Sequence, residues 1–129
     1  MLVAGMIHPI KGSCVIGRWH TGCPSNECIS KGFWDPPEIS ISDKHSYISR
    51  HHLRVQLDSA NECWIKDLHS LNGTAIFHAG PDKVPRKPYL ERLVPGKWHA
   101  LIEGDLVALA YPQHKRPYFV ISYHQNGRW

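Results

Sequence analysis

The sequence predicts an all-β protein, a two-sheet antiparallel β-sandwich with long loops at one end. Three observations carry this. Glycine and proline number ten each and cut the 129-residue chain into short pieces. Those pieces are apolar or alternate with period two, as strands do. No segment carries a convincing 3.6-residue apolar repeat of the kind that marks a helix. Short strands between turn signals favour a sandwich. The length suits one domain, residues 1–129, long enough to bury a substantial core.

The elements follow in order. Met1 to Ile10 is mildly apolar, has no basic leader and is interrupted by His8 and Pro9, so it does not read as a signal peptide. Cys14-Val15-Ile16 reads as a strand that closes on Gly17-Arg18, and Ile39-Ser40-Ile41 alternates. Leu53 to Leu57 alternates cleanly, with Leu53, Val55 and Leu57 facing inward. Asp58 to Asn61 is the hairpin turn to a strand over Cys63 to Leu68. Further strands are expected at Thr74 to Phe77, Trp98 to Leu101, Leu106 to Ala110 and Tyr118 to Tyr123, with a tight turn at Glu103-Gly104-Asp105. Two connections are long, Trp19 to Pro37 and Ala79 to Pro95. Loops of that length bind something or carry short structure of their own.

Composition narrows the function. Hydrophobic residues make up 42% and charged residues 20%, ordinary for a soluble globular chain. No apolar run approaches a membrane span, so the expected setting is intracellular, cytoplasmic or nuclear, with no membrane partner. The net charge of +4 suits a phosphorylated or polyanionic partner. The basic residues are spread out, and the clusters Lys83 to Lys87 and Lys115-Arg116 fall in Pro-rich segments. No continuous basic stripe interleaved with aromatics is present, so nucleic acid is not the expected partner.

The segment Ser49-Arg50-His51-His52 is the most informative. Gly17-Arg18 precedes it at the end of an apolar run, and Asn72-Gly73-Thr74 opens a turn after it. Two guanidinium groups, a hydroxyl and an amide on loops suit a docked phosphate rather than bond-breaking chemistry. A phosphothreonine carries roughly −1.5 to −2 charge and three strong acceptor oxygens, and arginine forks match such oxygens well.

These pieces resemble the forkhead-associated (FHA) domain, a phosphothreonine-binding β-sandwich. The resemblance runs from about Val15 to Tyr123. It takes in Ile16-Gly17-Arg18, Ile39 to Asp43, Ile48 to His52, Asp67 to Thr74, Gly104-Asp105 and Tyr118 to Ile121. It implies an FHA/SMAD-like sandwich that binds a threonine-phosphorylated peptide or protein in phosphorylation signalling, without catalysis and without a cofactor. It further implies that Arg18 and Arg50 bind phosphate, that Ser49 donates its hydroxyl to it, and that Asn72 hydrogen-bonds the peptide backbone. Gly17, His52, Gly73 and Thr74 would support the site, with His52 bracing the loops rather than touching phosphate. His51 reads as an exposed residue at a strand start. The chain departs from the family pattern at Leu71, where a hydroxyl residue often touches phosphate, and at His69, where glycine is common.

Two other readings stand beside this one. The sandwich could serve protein interaction or dimerisation without phospho-dependence. A zinc-dependent hydrolase would draw on cysteine and histidine, but no HExxH or comparable spacing is present. Cys14 and Cys63 lie in apolar strands and read as core. Cys23 and Cys28 lie near His20 in a polar loop, and free thiols, a disulfide and a metal pair all remain open there. The ten histidines are scattered, so most read as surface residues.

Overall fold

The computed structural model describes residues 2–3, 6–7, 10, 12–19, 26–30, 32, 37–42, 44–78, 89–111 and 119–123. Eleven strands and one short helix follow in chain order: β1 (Leu2–Val3), β2 (Met6–Ile7), β3 (Ser13–Arg18), α1 (Asn26–Ser30), β4 (Ile39–Ile41), β5 (Leu53–Leu57), β6 (Cys63–Asp67), β7 (Thr74–His78), β8 (Tyr89–Arg92), β9 (Trp98–Leu101), β10 (Leu106–Leu109) and β11 (Phe119–Ser122). They form a six-stranded sheet in the order β2-β1-β11-β10-β7-β8 and a five-stranded sheet in the order β4-β3-β5-β6-β9. No described helix is long and apolar enough to cross a membrane.

Period-two alternation places the core. Ile16, Leu53, Val55 and Ile65 of one sheet meet Ile76, Val107, Leu109 and Ile121 of the other, and all are fully buried. Each such side chain contributes about 2 kcal/mol through removal from water. Leu57 packs against this cluster at its margin. Cys14 and Cys63 are buried in the same core.

Pairing is antiparallel with one exception: β3 and β4 run parallel, with Ile16 opposite Ile39 and Arg18 opposite Ile41. A parallel pair needs a long crossover rather than a hairpin, and the connection from Trp19 to Pro37 supplies it. That connection holds α1, a single turn too short to show helical periodicity. The other long connection holds β8, which pairs with β7 from Ala75–Arg92 to His78–Tyr89. His20, Cys23, Asp43, Lys83 to Lys87, Lys115-Arg116 and Tyr118 lie outside the described residues, as does the side chain of Cys28.

Turn chemistry fixes the ends. Asp58 Oδ1 accepts the N–H groups of Ala60 and Glu62, both at 2.9 Å, and Asn61 takes φ +60° in the β5–β6 turn. The strand expected through Ala110 stops at Leu109, because Ala110 turns into the left-handed region at φ +68° and donates its N–H to Gly73 O at 2.8 Å.

Among the described histidines, His51 and His99 depart from the surface reading. His51, His52 and His99 are buried. His78 Nδ1 meets Asp105 at 2.9 Å and its Nε2 meets Glu91 at 2.8 Å, while His99 Nδ1 meets the other Glu91 oxygen at 2.9 Å. This chain of imidazoles and carboxylates ties β7, β8 and β9 to the turn before β10. Polar side chains of this kind are buried because tertiary partners satisfy them, and no sequence periodicity marks that.

A cleft built by three loop ends

Arg18 ends β3, and its main-chain N–H donates to Ser49 O at 3.0 Å. Its Nε donates to Ile48 O at 2.8 Å, which fixes the guanidinium by one edge. The close approach of these segments depends on Gly17. A Cβ there would overlap the carbonyl oxygen of Arg50 and stand 3.1 Å from His51 Cα. Glycine is needed for proximity, since the backbone at Gly17 does not enter the left-handed region. The same contact draws His51 into the interior, 3% exposed, against its expected place at the surface.

His52 locks this loop to the next. It is fully buried, and its Nδ1 accepts the N–H of Ser49 at 3.1 Å. An accepting Nδ1 puts the proton on Nε2, which lies 3.0 Å from both Gly73 O and Thr74 Oγ1. Thr74 Oγ1 donates to Asp67 Oδ1 at 2.6 Å, and Ser70 Oγ donates to the same oxygen at 2.5 Å. Ser70 N–H reaches Asp67 Oδ2 at 3.0 Å, and Gly73 N–H reaches Ser70 Oγ at 3.1 Å. The buried carboxylate of Asp67 is thus compensated by three donors, as a buried charge requires. Burial holds the His52 imidazole below its ordinary pKa, opposed by the Gly73 carbonyl and the Asp67 charge. Neither Asp67 nor Ser70 was assigned a role from the sequence.

The second loop carries Asn72 and Gly73. Gly73 takes φ +84°, a conformation glycine adopts without strain. Asn72 Nδ2 donates to Tyr47 O at 2.8 Å, so one amide donor is spent within the protein. Ser49 Oγ accepts the N–H of Leu71 at 3.0 Å, which directs the hydroxyl proton elsewhere.

The result is a cleft of about 300 Å³ lined by Arg18, Ser49, Arg50, Tyr47, His69 and Leu71, among others. Of the residues singled out in the sequence, Arg18, Ser49 and Arg50 line it together. Asn72 is not among the lining residues, but its amide is tied to Tyr47, which is. His52, Thr74, Gly17 and Gly73 hold the loops from beneath. Tyr47 was missed, because its part is played by a main-chain carbonyl that any residue type supplies.

Comparison with known proteins places this arrangement. The model of the FHA domain matches residues 14–110, well over half of the chain. The solved FHA domain of an Arabidopsis thaliana hypothetical protein superposes with a TM-score of 0.55 at 26% identity, over 89% of this chain and 69% of that one. Full-length yeast Pml1p gives 0.55 at 19% identity, over 86% and 62%. An engineered FHA with a Myc-pTBD peptide gives 0.53 at 16% identity, over 96% and 76%. No curated protein matches the sequence. A nearly all-β sandwich with this family match across most of its strands belongs to the FHA domain family, a family of protein-interaction modules.

Proposed function

We propose that this FHA domain binds phosphothreonine in a peptide or protein partner and acts as a non-catalytic reader in phosphorylation signalling. The observation that carries this is the convergence of Arg18, Arg50 and Ser49 on one cleft. Two arginines present planar forks to a dianion. The Ser49 hydroxyl, already accepting from Leu71, is left to donate. In this reading Asn72, whose Nδ2 is bonded to Tyr47 O of the cleft wall, meets the peptide backbone with its remaining amide groups. Charge-assisted hydrogen bonds contribute roughly 1.5–3 kcal/mol each. A few of them with backbone contacts reach a Kd of about 1 µM, or about −8 kcal/mol. The engineered FHA solved with a Myc-pTBD peptide agrees with a peptide-binding role for this fold.

The test is binding to a peptide pool with a fixed central phosphothreonine and degenerate flanks, beside phosphoserine and unphosphorylated pools. Selective binding of the phosphothreonine pool is expected. Equal binding of the unphosphorylated pool would leave an interaction or dimerisation module without phospho-dependence.

A further inference from the structure

His69 holds a costly backbone conformation with no core burial to offset it. Its φ is +56°, in the left-handed region, and the residue is exposed. For a non-glycine residue this costs about 1 kcal/mol. Asn61, with a similar φ, sits in a hairpin turn that asparagine suits, and Ala110 is held by its bond to Gly73. At His69 the backbone is closed by Asp67, whose Oδ2 takes the N–H of Ser70 at 3.0 Å, and the loop leaves the imidazole at the cleft. Its imidazole rests on Gly96 in the turn between β8 and β9, where a Cβ would stand 3.2 Å from Nε2 and 3.6 Å from Cε1. Gly96 N–H donates to Asp67 O at 2.9 Å, so this turn is bound to the strand end that launches the loop. The ring is therefore placed rather than loose, and it lines the cleft with Arg18, Ser49 and Arg50.

Leu71 supplies the second half of the argument. It is 84% exposed and lines the same cleft. Its side chain donates nothing, and its N–H is spent on Ser49 Oγ. Leu71 thus adds no side-chain donor to the wall beside Asn72, and His69 adds one. Among the described residues the His69 ring makes no hydrogen bond, so its N–H is available to a ligand.

We propose that His69 is a ligand-contacting, specificity-determining residue of this cleft, its imidazole N–H donating to the phosphorylated residue. This rests on the phosphothreonine reading above. The test measures affinity of the wild type and of His69→Gly for the phosphothreonine and unphosphorylated pools, with thermal stability alongside. In parallel, the imidazole proton resonances of the wild type are followed during titration, with His69 assigned by its absence from the variant. The expected result is at least about a fivefold loss of affinity for the phosphothreonine pool, with melting unchanged or raised because glycine relieves the strained φ. The His69 resonance moves with the phosphorylated pool and stays with the other. A phospho-selective wild type whose variant binds within twofold overturns the role of His69 alone. A wild type without phospho-selectivity overturns both readings. Should the variant fold poorly, the resonance is assigned from His69→Gln instead, and a His69 resonance that does not move in the wild type overturns the proposal by itself.

Discussion

His52 accepts the main-chain N–H of Ser49 through one ring nitrogen, at 3.1 Å, and faces Gly73 O through the other, at 3.0 Å. One imidazole therefore spans the two loops that line the cleft, and it does so only in the neutral form with the proton on Nε2. Ser49, held by that bridge and by the Arg18 N–H, in turn accepts the N–H of Leu71 on its hydroxyl.

Removal of the bridge leaves the part-buried Ser49 N–H without its acceptor, takes from Gly73 O one of its two donors, and opens a cavity. His52→Ala is expected to cost about 3 kcal/mol, which lowers Tm by roughly 10 °C for a chain of this size. Binding is lost secondarily. Thermal denaturation checks it, and unchanged melting with selective loss of binding would make His52 a direct ligand.

The same bridge makes stability depend on pH. Burial lowers the His52 pKa from 6.5 in the folded state. Below that value the unfolded chain takes up a proton that the folded chain refuses, so the contribution is fully present above about pH 6.5 and falls as pH drops toward the folded pKa. The slope is at most about 1.4 kcal/mol per pH unit for this one proton. Urea midpoints at pH 7.5 and 5.5 should show the decline, and it should shrink in His52→Gln.

Gly17→Ala places a methyl group on the carbonyl oxygen of Arg50. The obstruction is main chain and cannot rotate away, so the loop carrying Ser49 and Arg50 must move. A loss of about 2 kcal/mol or more is expected, with amide chemical shifts changing at residues 48–52. A variant that melts like the wild type with those shifts intact contradicts the close approach.

Arg18→Ala is expected to weaken phosphothreonine binding at least about tenfold, or about 1.4 kcal/mol, with the fold kept. Arg18→Lys retains the charge without the fork and should recover only part of the loss. Titration calorimetry with a selected phosphopeptide measures both, and full affinity in the alanine variant would misplace the phosphate site.

Desolvation by burial pushes the Cys14 thiol up to about 11, with Glu38 adding to it. Burial likewise pushes the Cys63 thiol up to about 12, against a hydrogen bond with Tyr123. Thiolate is the reactive form, so neither should alkylate at pH 8 while the chain is folded. Mass spectrometry of the peptides containing Cys14 and Cys63, before and after denaturation, reads this directly. Labelling of either in the native protein would show that its strand is not packed as described.

Three of the cleft-lining residues, Arg18, Ser49 and Arg50, were legible because they were picked out by residue type. Arg18, Ser49, Arg50 and Asn72 stand out as oxyanion-binding groups in loop-forming sequence, and their order resembles a known family. Asp67 and Ser70 were quoted in the motif but given no part, since their role is to accept and donate inside a network that exists only when the loops meet. His51 was misplaced for a related reason. Its burial follows from the contact of Gly17 with the Arg50–His51 backbone, some thirty-odd positions apart in the chain.

By itself the sequence determined most of the longer strands, though not β1, β2 or β8, because alternation such as Leu53, Val55 and Leu57 reflects the two faces of a pleated sheet and is local. It also singled out Arg18, Ser49 and Arg50, which the fold brings to one cleft, since guanidinium and hydroxyl groups carry their chemistry with them. Only the tertiary structure decided the parallel pairing of β3 with β4, the short elements inside the long connections and the buried bridge at His52. Each of these depends on contacts between segments distant in sequence, where what matters is which backbone group faces which, and no periodicity encodes that.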